Sequence, residues 1–163
     1  MSYAISLPNS FSPGWFSEPT QTTSDCSRIS ETATRDERDR LAATETFGQV
    51  RHALYQLYQD CSQPGWDGYG AFPVSADTLE LAIRVLNSLS PDFPKPSFGA
   101  EPDGQLTMEW YRSPHRVLSV SISPLGVLYY AVTIGAEQNY GHMPFLGQFP
   151  DTLREWIRKV NRA

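Results

Sequence analysis

Cysteine is scarce in this chain, and no apolar run is long enough to cross a membrane. Only Cys26 and Cys61 occur among 163 residues, far below the density of a disulfide framework. The longest strongly apolar run, residues 127–134, is well short of the ~20 residues that span a bilayer. The first ten residues carry no Lys or Arg and include Pro8, which does not suit a signal peptide. We therefore predict a cytoplasmic protein without a membrane segment.

Metal-binding and catalytic motifs are also missing. The histidines, His52, His115 and His142, lack H-x-x-x-H spacing, and the two cysteines are far apart in the chain. The sequence contains no G-x-S-x-G nucleophile elbow, no P-loop and no G-x-G-x-x-G turn. We expect no metal and no cofactor, and a binding role is favoured over an enzymatic one.

Positive charge is in deficit. Thirteen Lys and Arg stand against eighteen Asp and Glu, a net charge of −5, which disfavours generic binding to nucleic acid. The counts are 4 against 7 in residues 1–46 and 9 against 11 in the remainder, so the remainder is nearly neutral. This balance favours a protein as the partner.

Residues 1–45 are predicted to form a flexible or extended N-terminal arm. Residues 1–46 contain fifteen Ser or Thr and three prolines, a composition that buries too little apolar surface to offset the entropy of ordering. Phe11, Trp15 and Phe16 lie close together within it, and such large apolar side chains suit contact with a partner. Residues 46–163 are predicted to form a single domain.

Apolar residues at spacings of three and four predict three helices. The first begins near Thr46, the second follows Ser75 as its N-cap, and the third begins near Pro150. Their predicted buried residues are Phe47, Val50, Leu54, Leu57, Tyr58 and Cys61, then Leu79, Ala82, Ile83, Leu86 and Leu89, then Leu153, Trp156, Ile157 and Val160.

Alternation of apolar and polar residues predicts three strands with one buried face. The inward residues are Leu106, Met108 and Trp110, then Leu118, Val120 and Ile122, then Leu128, Tyr130, Val132 and Ile134. Residues 97–101 are a candidate edge strand before a hairpin turn at 102–104, and residues 135–147 are predicted to be a polar loop. The fold class is therefore α+β: an antiparallel meander of three to four strands, with two preceding helices and one C-terminal helix packed on one face.

The most distinctive string is WDGYGA at residues 66–71, within the Gly- and Pro-rich segment that joins the first two helices. We call residues 64–73 the WDG loop. Trp66 and Tyr69 beside a carboxylate suit a recognition loop, since aromatic residues dominate protein interfaces. The favoured alternative is structural: the glycines permit positive φ, Asp67 caps a turn, and Trp66 fills the gap between the helices.

With the segments that follow it, this string resembles a family of small bacterial proteins of uncharacterised activity whose pattern is W-D-G-x-G-A-x-P. WDGYGAFPVS, PDGQLTMEW and RVLSVSIS carry the resemblance, which covers about residues 62–135. Gly65 stands where that pattern is expected to have Asn. The resemblance implies a small accessory protein and implies no particular reaction.

The candidate contact residues for a partner protein lie in the arm, the WDG loop, the outward face of the sheet and the segment after it. They are Trp15, Phe16, Trp66, Asp67, Tyr69, Glu109, Tyr129 and His142. The outward face, with its hydroxyls, aromatic residues and one carboxylate, is either a partner surface or the ordinary solvated side of a one-faced sheet.

We expect a non-enzymatic accessory protein that binds another protein, of the toxin-neutralising, immunity or inhibitor type. Two alternatives stay open. One is a small hydrolase-like enzyme in which Asp67, Glu109 and His142 converge in a cleft. The other is an acidic inhibitor that mimics nucleic acid, which requires a continuous negative stripe on one face.

Overall fold

Residues 47–162 are described by a computed structural model, and they form an α+β fold. The elements in chain order are α1 (47–61), α2 (Ala76–Ser88), β1 (Ser97–Ala100), β2 (Leu106–Ser113), β3 (Arg116–Ile122), β4 (Val127–Ile134), β5 (Glu137–Pro144) and α3 (Asp151–Asn161). The proposed arm, with Trp15 and Phe16, lies outside the described residues. The division into an arm and a domain therefore stays a prediction.

All three predicted helices are present, and each buries the face that its spacing predicts. Ser75 caps α2, because its hydroxyl accepts a hydrogen bond from the Thr78 N–H at 3.1 Å. The buried helix residues include Val50, Leu54 and Cys61 of α1, Leu79, Ala82 and Leu86 of α2, and Leu153, Ile157 and Val160 of α3. The apolar periodicity of the sequence thus predicted correctly which helix residues pack into the core.

The strands form one antiparallel sheet in the order β1-β2-β3-β4-β5. The inward residues predicted for β2 and β3 are all buried, and Leu128 and Val132 of β4 are buried with them. Helices α2 and α3 both contact β2 and β3, and α3 also contacts β4. Since the helices pack on the apolar side, the opposite side of the sheet has no helix over it within residues 47–162. We call that side the uncovered face.

The prediction of a polar loop over residues 135–147 is wrong, because most of this segment forms β5. Ile134 and Glu137 pair across a two-residue turn in which Gly135 has a φ of 63°. Strand β5 then pairs with β4 along its whole length. As an edge strand it leaves most of its side chains in solvent, so its sequence lacks the apolar alternation that identifies the other strands. The sheet therefore has five strands.

Trp110 connects β2 to two other parts of the core, the segment before β1 and the start of α3. Its side chain is only 2% exposed, and its indole Nε1 donates a hydrogen bond to the Pro94 carbonyl at 2.7 Å. Its ring meets that of Phe149 edge-on, with centroids 6.2 Å apart and planes at 75°. Phe149 lies just before α3, so this one indole fixes the segment before β1 and the start of α3 against β2.

Gly141 allows a tyrosine on β4 to lie across the edge strand. A Cβ at Gly141 would stand 3.0 Å from the ring of Tyr130, which is directly opposite it in the ladder. The same Tyr130 hydroxyl donates to Asn139 Oδ1 at 3.2 Å. The ring therefore covers the glycine and ties β5 to β4 on the inner side of the sheet, which fixes the register of a strand that has little apolar burial of its own.

Replacing Trp110 with phenylalanine should lower the free energy of unfolding by about 2 kcal/mol, because the Pro94 carbonyl loses its donor and the core loses volume. Urea unfolding followed by far-UV circular dichroism measures this. The control is Tyr111→Phe, on the adjacent residue that points to the uncovered face and is 60% exposed; it should change stability by less than about 0.5 kcal/mol. Equal effects would contradict the assignment of the two faces.

The substitution Gly141→Ala should lower stability by about 1 kcal/mol, because the new methyl displaces the Tyr130 ring and its bond to Asn139. Gly99→Ala is the matched control on the other edge strand, where a Cβ meets nothing within 4 Å. That control should be neutral or slightly stabilising. The same urea experiment compares the two, and an Ala at 141 that is as harmless as one at 99 would contradict the role given to Tyr130.

Candidate functional site

The Asp67 carboxylate holds the WDG loop together from within. Its Oδ1 accepts hydrogen bonds from the backbone N–H groups of Tyr69, at 2.8 Å, and Ala71, at 3.0 Å. These two bonds, that of Ala71 first, lower the pKa of Asp67 below its ordinary value. One oxygen of the Asp67 carboxylate is thus engaged in turn formation.

Trp66 and Gly65 serve the same loop. The Trp66 indole Nε1 donates to the Phe72 carbonyl at 3.0 Å, and its ring packs partly buried against the core. Gly65 has a φ of 71°, a conformation that glycine and asparagine both tolerate. Its N–H donates to the Ala71 carbonyl at 2.8 Å, so the loop is closed by the backbone itself. These hydrogen bonds agree with the structural interpretation of Trp66 and Asp67, and their role as contacts for a partner stays a prediction.

Of the predicted contact residues Trp66, Asp67 and Tyr69, the loop exposes only Tyr69 fully to solvent. It is 95% exposed, and Phe72 beside it is 69% exposed. The loop itself is anchored to the sheet, because the Phe72 N–H donates to the Pro102 carbonyl at 2.8 Å. Gly104 in the β1–β2 turn, with a φ of 85°, approaches so closely that a Cβ there would stand 3.0 Å from the Pro73 carbonyl oxygen. Tyr69 is therefore an exposed aromatic residue on a fixed support.

The uncovered face brings together most of the other predicted contact residues. Register places its side chains in rows across the strands. One row is Ser97, Glu109, Ser119, Ala131 and Tyr140; the next is Gly99, Thr107, Ser121, Tyr129 and His142; a third is Tyr111, Val117, Thr133 and Gln138. Glu109 and Tyr129 thus lie on the face where alternation predicts them.

His142 lies on the sheet rather than in a loop after it. It is exposed on β5, directly opposite Tyr129 of β4, with ring centroids 5.8 Å apart. The prediction that His142 belongs to a loop was wrong because β5 was not recognised. The correction moves His142 onto the uncovered face beside a residue that alternation had already placed there.

Glu101 is a site residue that sequence reasoning missed. Its carboxylate accepts hydrogen bonds from the hydroxyls of Thr107 on β2 and Ser121 on β3. Glu101 follows β1 and is two residues beyond Gly99, so period two predicts it on the uncovered face beside those hydroxyls. The alternation therefore offers a signal for Glu101, which the sequence analysis places only at the end of a candidate edge strand.

Two exposed tyrosines were missed as well. Tyr111 is 60% exposed and Tyr140 is 83% exposed, and both point from the uncovered face, as does Tyr129 at 45%. Tyr111 follows the same alternation as Glu109, which is a signal that the sequence offers. Tyr140 had no such signal, because its strand carries polar residues on both faces.

The three residues of the hydrolase alternative do not converge. Glu109 on β2 and His142 on β5 are separated by β3 and β4, a distance of about 14 Å at ordinary strand spacing. Hydrogen-bond reach for acid–base chemistry is about 3 Å. Asp67 lies in a loop between two helices, with its Oδ1 engaged by backbone N–H groups. This geometry does not provide the catalytic arrangement that the alternative requires.

The described residues offer little for metal or thiol chemistry. Within residues 47–162 no three His, Cys, Asp or Glu side chains cluster as metal ligands would. Cys61 is a buried thiol that has no disulfide partner among these residues. Burial raises its pKa, and the charge of the neighbouring Asp60 raises it further, which keeps the sulfur in its less reactive protonated form. Among the same residues no helix has the length and apolarity to cross a membrane.

Basic side chains gather elsewhere, on α3. An open groove of about 650 Å³ lies between this helix and the segment before β1, and Arg154, Arg158 and Arg162 line it. Arg154 pairs with Asp151 at 2.9 Å, and the Arg158 guanidinium lies 5.3 Å from the centre of the Phe93 ring. These contacts fit the packing role expected of long basic side chains near the end of a helix.

Comparisons of the chain with protein-family models, with curated proteins and with solved structures found no match. The resemblance to the W-D-G-x-G-A-x-P family therefore stays a prediction from the motif.

The stabilising contribution of Asp67 should depend on pH in the acid range. Its pKa is lowered in the folded chain, so the contribution is complete above the unfolded value of about 4 and is lost as pH falls through the folded value. The difference in stability between the native chain and Asp67→Ala should therefore narrow as pH falls. Asp67→Asn, which keeps an acceptor oxygen and cannot titrate, is the control.

Urea unfolding at a series of pH values measures this dependence. The Asn variant should differ from the Ala variant by an amount that does not change over the same range. A native chain whose advantage over Asp67→Ala stayed constant through the titration would show that the charge of Asp67 does not support the loop.

Proposed function

We propose that this chain is a non-enzymatic accessory protein that binds another protein through the uncovered face of its sheet. The observation that carries the proposal is the composition of that face: three exposed tyrosines, one histidine, the carboxylates of Glu109 and of Glu101 just beyond β1, and no Lys or Arg at the paired strand positions that point there. Arg112, exposed at the irregularity between Tyr111 and Ser113, is the basic residue of β2 to which the register assigns no face. Tyrosine is enriched and lysine depleted at protein interfaces. The solvated side of a one-faced antiparallel sheet is generally polar, whereas a group of exposed aromatic residues indicates an interaction site.

The size of the face suits one part of an interface. Five strands of up to eight residues cover roughly 20 by 25 Å at ordinary strand spacing and rise. The area of the face is therefore on the order of half of the ~800 Å² that one partner contributes to a standard interface. A partner would therefore also reach the turns at the rim, where Leu125 is 87% exposed.

The charge on the face favours a protein over nucleic acid. No Lys or Arg occupies a paired position on the face, and Arg112 at the β2 irregularity is a single positive charge, so the face offers little to neutralise phosphate groups. Its carboxylates, Glu101 and Glu109, are two isolated charges, and two hydroxyls already donate to Glu101. Two carboxylates do not form the repeating negative stripe that mimicry of nucleic acid requires. A partner with a local basic group opposite Glu109 fits best.

The toxin-neutralising, immunity or inhibitor type of function, acting in the cytoplasm, is the role proposed from the sequence. It agrees with a site that offers aromatic contact area. Trp15 and Phe16 stay proposed contacts with the same partner, as does Tyr69 of the WDG loop. Tyr129, Glu109 and His142 are proposed as central contacts, with Tyr111 and Tyr140 added to them by the register of the sheet.

The test compares two doubly substituted chains as affinity baits in extracts of the source cells. One carries Tyr111→Ser and Tyr129→Ser on the uncovered face; the control carries His52→Ser and Tyr55→Ser, which remove two exposed ring side chains from α1. A protein retained by the native chain and by the control should be lost with the face variant. With that protein purified, calorimetry should give at least about tenfold weaker binding for the face variant and little change for the control.

Circular dichroism first establishes that both variants are folded. A partner that binds the face variant as tightly as the native chain would overturn the assignment of the surface. A native chain that retains no protein stoichiometrically would overturn the proposed function itself.

A further inference from the structure

The outer edge of β5 is a long row of backbone hydrogen-bonding groups that no strand within residues 47–162 pairs with. The strand has eight residues and contains no Lys or Arg; Glu137 is its single charged residue, and its single proline, Pro144, is its last residue. Edge strands in monomeric proteins are commonly blunted by shortness, charge, proline or a bulge. Along most of its length β5 carries none of these devices.

The opposite edge of the sheet shows the contrast. Strand β1 has only four residues, Ser97–Ala100, and Pro94 and Pro96 come directly before it. Shortness and neighbouring proline make it unsuitable for adding a further strand. The two edges of one sheet therefore differ, and only β5 presents an extended edge.

The register identifies which residues of β5 direct their backbone N–H and C=O groups away from β4. The Phe145 N–H donates to the Gly126 carbonyl at 2.8 Å, and antiparallel ladders alternate between bonded and non-bonded pairs. Residues 137, 139, 141 and 143 therefore bond to β4. Gln138, Tyr140 and His142 direct their N–H and C=O groups away from the sheet. Pro144 falls in the outward set, where its missing N–H breaks no bond to β4.

This outward set is self-complementary about Tyr140. If a second β5 runs antiparallel with Tyr140 opposite Tyr140, then Gln138 faces His142 on both sides of the axis. All three residues are then in bonded pairs, which gives six backbone hydrogen bonds. Moving the axis by one residue in either direction sets an outward residue against Ala136 of the turn or against Pro144, which has no N–H to give.

Charge agrees with the same register. The single charged residue of the strand, Glu137, falls opposite Met143 of the other copy, so like charges do not meet across the pair. Tyrosine opposite tyrosine is a favourable cross-strand pair. A strand whose outward residues are symmetric about Tyr140 and whose one charge lies at its end is suited to pair with a second copy of itself. A partner of opposite charge could form an ion pair only with Glu137.

We propose that a second copy of this chain pairs with β5 in antiparallel fashion, with a two-fold axis through Tyr140. The product is a continuous ten-stranded sheet in which the uncovered faces of the two copies lie side by side. The contact is one strand long and thus near the small end of protein interfaces, so the dimer is reversible and depends on concentration. This inference is independent of the proposed partner-binding function.

Hydrogen exchange on the full-length native chain tests the pairing directly. Amides of residues 138, 140 and 142 should exchange quickly at low concentration and become protected as concentration rises, while amides of residues 139, 141 and 143 are protected throughout. Sedimentation velocity over about 1 µM to 1 mM should show the monomer converting to dimer over the same range.

The substitution Tyr140→Lys should weaken dimerisation at least tenfold, because it sets two positive charges opposite each other on the axis. Tyr111→Lys makes the same change on β2, on the same face and away from β5, and should leave dimerisation within twofold of the native chain. A chain that stays monomeric at the highest concentration, or equal effects of the two substitutions, would overturn the proposal.

Two further outcomes are decisive without any variant. Protection of the 138, 140 and 142 amides that does not change with concentration would mean that the same chain covers this edge, and would overturn the proposal. So would a dimer in which these three amides stay unprotected. Neither result would bear on the affinity of the Tyr111 and Tyr129 variant for a protein partner, so the two proposals fail separately.

Discussion

The one-sided burial of the sheet is the constraint on which the rest of this structure depends. Alternate residues of β2, β3 and β4 are apolar, so all three strands must present the same side to the helices. That leaves the other side to polar and aromatic residues, and it leaves α1, α2 and α3 to share one layer. The WDG loop, the Trp110 contact with Phe149 and the Tyr130 ring over Gly141 are all devices that hold this layer and the strand edges in place.

The sequence predicted the elements that bury a periodic face and missed the one that does not. The helices and β2–β4 follow from apolar spacing, and the turn at 102–104 follows from its Pro-Asp-Gly residues. Strand β5 carries polar residues on both sides because it is an edge, and its pairing comes from backbone bonds and the ring of Tyr130, which have no periodic signature. The two-residue Gly135–Ala136 turn was the only local sign of a hairpin.

The same contrast, between strands with a periodic buried face and the edge strand β5, explains which residues of the candidate site the sequence could predict. Glu109 and Tyr129 were placed on one face by alternation alone, and Glu101 could have been placed there too. His142 and Tyr140 could not, because their position depends on a strand that only the pairing reveals. Trp66 and Asp67 were ambiguous in the sequence, since an aromatic residue and a carboxylate serve a loop or a partner equally well. The contacts with Phe72, Tyr69 and Ala71 show the loop role, which the sequence could only suggest.

The bond between the Phe72 N–H and the Pro102 carbonyl has a consequence for how related chains would be recognised. It joins the WDG loop to the β1–β2 hairpin, and the close approach of Gly104 to Pro73 requires a glycine in that hairpin. The two most distinctive strings of the chain, WDGYGAFP and PDG, are thus halves of a single joint between the helix layer and the sheet. Chains that share both strings would share this architecture, while under the proposed function their partners would be decided by residues such as Tyr111 and Tyr140, which lie outside the joint.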